Sequence, residues 1–240
     1  MPDGPVIELT RMHRPPGLAR AALIVARKDL AVEWRTRSAL FSALVFSILS
    51  ITIFFFAWDP TAVPAADLAP GVLWTIFTFS GLLGLHRSFG AEHAERAIDA
   101  LLSAPVDREA IYLGKALANL AFVLVVQAVA VPAVILLYNL PVSGIVLPLA
   151  GITVLAAIGL VSVGTLFGSM AVNTRLAELL LPMLALPFFV PVVVPAAQAT
   201  ARLLNGRPPS EIFAWIKLLL AFDLVFVTAC AIAFPYTLED

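Results

Sequence analysis

ALFSALVFSILSITIFFFA (Ala39–Ala57) runs for nineteen residues without a charged side chain. As a helix rising 1.5 Å per residue it is long enough to cross the roughly 30 Å of hydrocarbon in a bilayer. The rest of the chain repeats the message. Across 240 residues it is 61% hydrophobic and 13% charged, where a soluble domain carries about 45–50% and about 25%. An all-α integral membrane protein is the class these figures fit.

The other apolar runs lie at about 70–86, 115–138, 145–171, 178–198 and 213–235, which with the first makes six spans. Residues 1–38 then form an N-terminal segment, 39–235 a six-helix transmembrane domain and 236–240 a tail. The first run starts near Ala39, past the first ~15–30 residues where a cleaved signal peptide lies, so that helix is expected to remain. The net charge of −1 gives no support to nucleic-acid binding. A single cysteine, Cys230, rules out an intramolecular disulfide.

Orientation follows from Lys and Arg in the short loops. Arg11, Arg14, Arg20, Arg27, Lys28, Arg35 and Arg37 precede the first span; Arg87, Arg96, Arg108 and Lys115 lie between spans two and three; Arg175 follows span four. The other side holds only Arg202 and Arg207. The bias predicts both termini in the cytoplasm. Trp58, Trp74, Tyr138 and Trp215 fall at predicted outer ends and Trp34, Tyr112 and Tyr236 at inner ends, as an aromatic belt requires.

Before the first span, LARAALIVARKDLAVEWRTR (Leu18–Arg37) reads as a helix with Leu23, Ala26, Leu30 and Trp34 along one face. Arg20, Arg27, Lys28 and Arg35 are placed to meet anionic headgroups, the pattern of a helix lying in the interface. The alternative is a soluble helix packed on the loop between spans two and three.

That loop contains AERAIDALLSAPVDREAIYLGK (Ala94–Lys115), a charged hinge within an apolar chain. Ala91, Ala94, Ile98, Leu101, Leu102 and Pro105 recur at helical spacing as one apolar stripe, with Glu92, Glu95, Arg96 and Asp99 around it. Glu92 and Arg96 stand at i, i+4 in the favourable order. Pro105 ends the short helix, and Asp107 N-caps the next, which continues into span three. The segment is either a solvated connector or a docking surface whose stripe something covers.

Within the membrane, an ionisable group at a helix centre costs about 2.5–3.5 kcal/mol on insertion scales. Asp223 is such a group, near the middle of span six; Lys217 lies nearer the outer end, where it snorkels. Asp223 either lines a polar path or is a hydrogen-bonded structural residue. Span five carries Pro182, Pro187, Pro191 and Pro195, each of which removes a backbone donor, so a bent, broken or re-entrant element is expected. Gly164 and Gly168, with Gly159 and Ser169 nearby, allow close helix packing in span four.

No phosphate-binding loop, carboxylate pair, nucleophile–His arrangement or zinc-spaced set occurs, and His13, His86 and His93 are isolated. These features point away from an enzyme acting alone, with no catalytic residue and no metal site.

Phe89-x2-Glu92, IDALLSAPVDR (Ile98–Arg108) and YLGK (Tyr112–Lys115) resemble the cytoplasmic coupling loop of ABC-2-type exporter permeases. RKDLAVEWR (Arg27–Arg35), GVLW (Gly71–Trp74) and AELLLPMLALP (Ala177–Pro187) make the chain more specifically similar to the CcmB family, haem exporter protein B of cytochrome c maturation. Arg96 stands where that family often has Gly, and Asp99 where it often has Glu.

The resemblance implies a multi-pass permease of the bacterial inner membrane, paired with a separate CcmA-like ATPase and with CcmC- and CcmD-like partners. Such a system serves haem handling and the CcmE-like haem chaperone. It further implies a homodimer or a second permease, since six spans are half of an ABC exporter's usual membrane part. ATP would bind the partner, with no cofactor in this chain; haem is one candidate substrate, and mechanical coupling is preferred over direct haem binding by this chain. Glu92, Arg96, Ile98, Asp99, Leu101, Leu102, Pro105, Asp107 and Arg108 would contact the ATPase, and Pro182, Pro187, Pro191, Pro195 and Asp223 would shape the pathway. Tyr138 and Met183 are haem-ligand types read here as structural. An ABC-2 exporter of lipid, glycan or drug, a membrane scaffold and a secondary carrier are the alternatives.

Overall fold

The computed structural model describes residues 17–94, 107–141, 143–172 and 177–238, with backbone alone at 86–94, 172, 177, 178 and 238. The described residues are helical, without strands. In chain order the helices are α1 (Leu18–Thr36), α2 (Ser38–Ala57), α3 (Ala65–Ala94), α4 (Arg108–Leu137), α5 (Val146–Val172), α6 (Ala177–Leu204) and α7 (Pro209–Ala233). A 3-10 turn, Phe234–Leu238, follows α7. All but α1 are long and apolar enough to cross a membrane.

The six spans sit where hydropathy puts them, with ends that differ. The third begins at Arg108 rather than near 115, the second at Ala65 rather than near 70, and the fifth runs to Leu204. α5 forms the centre, packed on α3, α4, α6 and α7, while α2 lies against α3 and α4. Among spans so alike in polarity to lipid, packing and interhelical hydrogen bonds hold the bundle. Trp74 Nε1 donates to Thr200 Oγ1 at 3.1 Å, Ser47 and Ser80 share a 2.9 Å bond, and Asn119 Nδ2 donates to Thr165 Oγ1 at 3.3 Å. Bonds of this kind contribute about 0.6 kcal/mol each on average.

Three expectations change. α6 runs as one helix through all four prolines, not as a broken or re-entrant element. Pro187, Pro191 and Pro195 follow each other at intervals of four, so the rings of Pro191 and Pro195 each face the carbonyl of the proline one turn earlier, and the missing bonds fall in a single strip. Trp74 and Tyr112 are core residues rather than members of an interfacial belt. Tyr138 is buried too, in a cluster with Phe55 (5.8 Å between centroids) and Trp58 (5.3 Å). Trp34 and Tyr236 are exposed, and Trp58 and Trp215 half-buried, as a belt demands.

α1 buries Ala21, Ala22, Val25 and Ala26 against α4. Of the predicted stripe only Ala26 faces the protein; Leu23, Leu30 and Trp34 are exposed. At the corner into α2, Arg37 adopts a left-handed conformation (φ 53°), and Glu33 Oε1 accepts the N–H of Leu40 at 2.9 Å. That carboxylate therefore satisfies a donor in the first turn of α2. At the opposite end of the bundle, Thr61 gives its hydroxyl (2.7 Å) and N–H (2.8 Å) to Asp59 Oδ1. The hydroxyl first and the amide second hold that carboxyl below its ordinary range.

Candidate functional site

The start of α4 is the first candidate, because it follows directly on the charged segment. Asp107 stands at the N-cap position, as the sequence indicates, but through its backbone: its carbonyl accepts the N–H of Ala110 (2.9 Å) and Ile111 (3.3 Å), and its side chain makes no cap bond. Arg108 Nη1 donates to the carbonyl of Pro235 at 3.1 Å, in the turn after α7. One turn on, the Tyr112 ring lies 5.2 Å from Phe234 and its hydroxyl donates to the Ser162 carbonyl at 3.3 Å. Ser169 Oγ and Thr237 Oγ1, 2.9 Å apart, fasten the same turn to α5.

On its other side α4 meets α1. A Cβ at Gly114 would lie 2.6 Å from both the Ala22 carbonyl oxygen and the Val25 Cβ, so only glycine permits this approach. Beside it, Lys115 is 3% exposed and its Nζ lies 3.5 Å from Asp29 Oδ2. Asp29 also pairs with Lys28 at 3.0 Å. The first turns of α4 thus hold α1, α5 and the C-terminal turn together. The loop count places Lys115 among the cations between spans two and three; the structure buries it against α1. Asp29 and Gly114 carry no role in the sequence reading, although an acid among four bases and a Gly-Lys pair at a span's edge are visible signals.

Of the residues assigned to an ATPase contact, Asp107 is exposed and Arg108 is engaged with this chain's own C-terminal turn. Glu92 lies on the last helical turns of α3, with its side chain outside the described residues. Arg96, Ile98, Asp99, Leu101, Leu102 and Pro105 also lie outside the described residues.

The second candidate is the seam of α5, α6 and α7. Asp223 is 6% exposed, and among the described residues neither carboxylate oxygen has a hydrogen-bond partner. A Cβ at Gly159 would meet Asp223 Oδ1 and Val192, so glycine on α5 makes room for the acid on α7 and the valine on α6. The hydrogen-bonded structural reading of Asp223 therefore finds no donor here. Along α6 Pro187 is exposed, Pro191 half-buried and Pro195 buried, each about one turn beyond the last. Gly164 takes the close approach read from the sequence, packing on Leu85 of α3.

Gln127, near the middle of α4, escaped the sequence reading. Both its amide atoms are buried without a partner among the described residues, beside a small void also lined by Phe77, Ser80 and Phe122. An uncharged amide in an apolar run is the only signal it gives. Lys217 is exposed and Met183 is 71% exposed, so Met183 is a surface residue rather than a packed one. Among the described residues no three His, Cys, Asp or Glu side chains converge as a metal site would need.

Comparison with known proteins agrees with this architecture. Heme exporter protein B of Rhodobacter capsulatus is 29% identical over 208 residues, covering 85% of this chain and 95% of that protein. The protein of the same name from Paracoccus denitrificans is 28% identical over 213 residues (86% and 94%), and that from Bradyrhizobium diazoefficiens 27% over 208 (86% and 91%). One family, described as CcmB protein, matches residues 20–240, from α1 through the C-terminal turn. With α1 and all six spans inside that match but for the first residues of α1, this multi-pass membrane chain belongs to the CcmB family.

Proposed function

We propose that this chain is the permease subunit of an ABC transporter acting in cytochrome c maturation. It exports haem or drives release of a haem chaperone, with ATP hydrolysed on a separate CcmA-like subunit. Both termini and the segment before α4 face the cytoplasm, in keeping with the excess of Lys and Arg on that side. CcmC- and CcmD-like proteins complete the assembly in the inner membrane, and a second permease copy or partner supplies the other six spans.

The observation that carries the mechanism is the wiring at the start of α4. The segment that would meet the ATPase leads directly into Arg108, Tyr112, Gly114 and Lys115, which touch the C-terminal turn, α5 and α1. A displacement of the segment is therefore delivered to three elements within about two helical turns. Asp223, set against Gly159 of α5 and Val192 of α6, marks the seam that would open, and the prolines of α6 would shape the helix beside it. The names of the relatives above support the cargo.

The test uses a strain lacking this gene and a tagged copy purified in mild detergent. Wild type should restore c-type cytochromes and bring down an ATPase. Glu92→Lys should lose both while staying in the membrane at wild-type level. Full complementation by Glu92→Lys, with the ATPase still bound, refutes the coupling assignment.

A further inference from the structure

α1 holds two acids, and the structure turns both inward. Asp29 is directed to Lys115 of α4, and Glu33 accepts the N–H of Leu40 at the start of α2. The other side of the helix is left with Arg20, Arg27 and Arg35 interleaved with Leu23, Leu30 and Trp34, all exposed. At about 100° per residue these six fall within one arc of about 140°. The opposite side is the alanine–valine face packed on α4. The outward side is therefore cationic and apolar at once, with no acid among it.

Its level in the bundle is set by two contacts. α1 turns into the spanning helix α2 through the single residue Arg37, and it crosses α4 at Gly114 and Lys115. That crossing is where the apolar run of α4 begins, its first turns (Arg108–Leu113) being the more polar. Both put α1 at the height where hydrocarbon gives way to headgroups.

We propose that the outward face of α1 is a binding site for anionic phospholipid headgroups, with Arg20, Arg27 and Arg35 contacting phosphates and Leu23, Leu30 and Trp34 entering the acyl boundary. Charge complementarity selects this occupant: three cations at one level without an acid suit a surface of phosphates. Bound lipid holds α1 on α4 and so braces the Gly114 contact. The inference does not depend on the cargo or on the ATPase partner.

The experiment adds dioleoylphosphatidylglycerol or dioleoylphosphatidylcholine to the purified full-length chain in mild detergent and follows its thermal unfolding. Phosphatidylglycerol should raise the midpoint clearly above phosphatidylcholine, and raised salt should erase most of the difference, as screening of surface charge requires. The triple variant Arg20→Gln, Arg27→Gln, Arg35→Gln should match wild type in phosphatidylcholine and lose at least half of the phosphatidylglycerol effect. Equal midpoints in the two lipids for wild type, the outcome if this face docks a protein, overturn the proposal. So does a lipid preference indifferent to salt, or one the triple variant keeps in full. Where the triple variant does not fold, the single variants Arg20→Gln, Arg27→Gln and Arg35→Gln are read in its place, and a phosphatidylglycerol effect that all three keep in full overturns the proposal.

Discussion

Gly114 has room for a hydrogen and nothing larger. Its Gly114→Ala variant places a methyl 2.6 Å from the Ala22 carbonyl oxygen, and that oxygen belongs to helical backbone, which moves only if α1 moves. Overpacking of this kind costs about 1–3 kcal/mol. The expected outcome is a lower unfolding midpoint in detergent and faster proteolytic release of α1; a midpoint equal to wild type would contradict the contact. Asp223 predicts the reverse. Its oxygens have no donor to lose among the described residues, so Asp223→Asn should change stability by less than about 1 kcal/mol. Unfolding curves measure that, and lost c-type cytochrome assembly at unchanged stability would mark the side chain as functional. A residue held only for packing would show the two losses together.

At the scale of elements, α1 and α4 are joined by the Asp29–Lys115 pair as well as by the glycine. Removing the Asp29 carboxylate takes away part of what compensates the buried Lys115 ammonium, whereas replacing both removes the penalty with the interaction. Asp29→Asn alone should therefore destabilise by about 1–3 kcal/mol. Asp29→Asn combined with Lys115→Met should recover much of that, because methionine keeps most of the apolar stem of the lysine while removing its charge. A double-mutant cycle on thermal or denaturant unfolding gives the coupling, and a value near zero would show that the pair does not hold the helices. α6 shows how context overrides a local rule. Four prolines predict a break, yet the helix is continuous, and three of the prolines share one strip, so the missing bonds fall on one side of it.

For the whole molecule, the proposed orientation makes a measurement available. Cysteines placed singly at Thr61 and Asn205, in a chain with Cys230→Ala, should react with an impermeant maleimide from outside intact cells. A cysteine at Thr36 should react only after permeabilisation. The opposite labelling pattern would invert the topology. That the chain is a six-span helical membrane protein was legible from residues 39–235 alone, since length and hydropathy act along the sequence and need no neighbour. So was the oddity of Asp223, because a charge inside an apolar run declares itself. What the sequence left open concerns partners across the fold. Periodicity reads one stripe on α1, Leu23, Ala26, Leu30 and Trp34, and does not show that the face of Ala21, Ala22, Val25 and Ala26 goes to α4. Loop counting places Lys115 in the connection between spans two and three, and belt statistics place Trp74 and Tyr112 at the interface. Only tertiary packing buries all three, because whether a side chain meets lipid, water or another helix is set by which helix lies beside it.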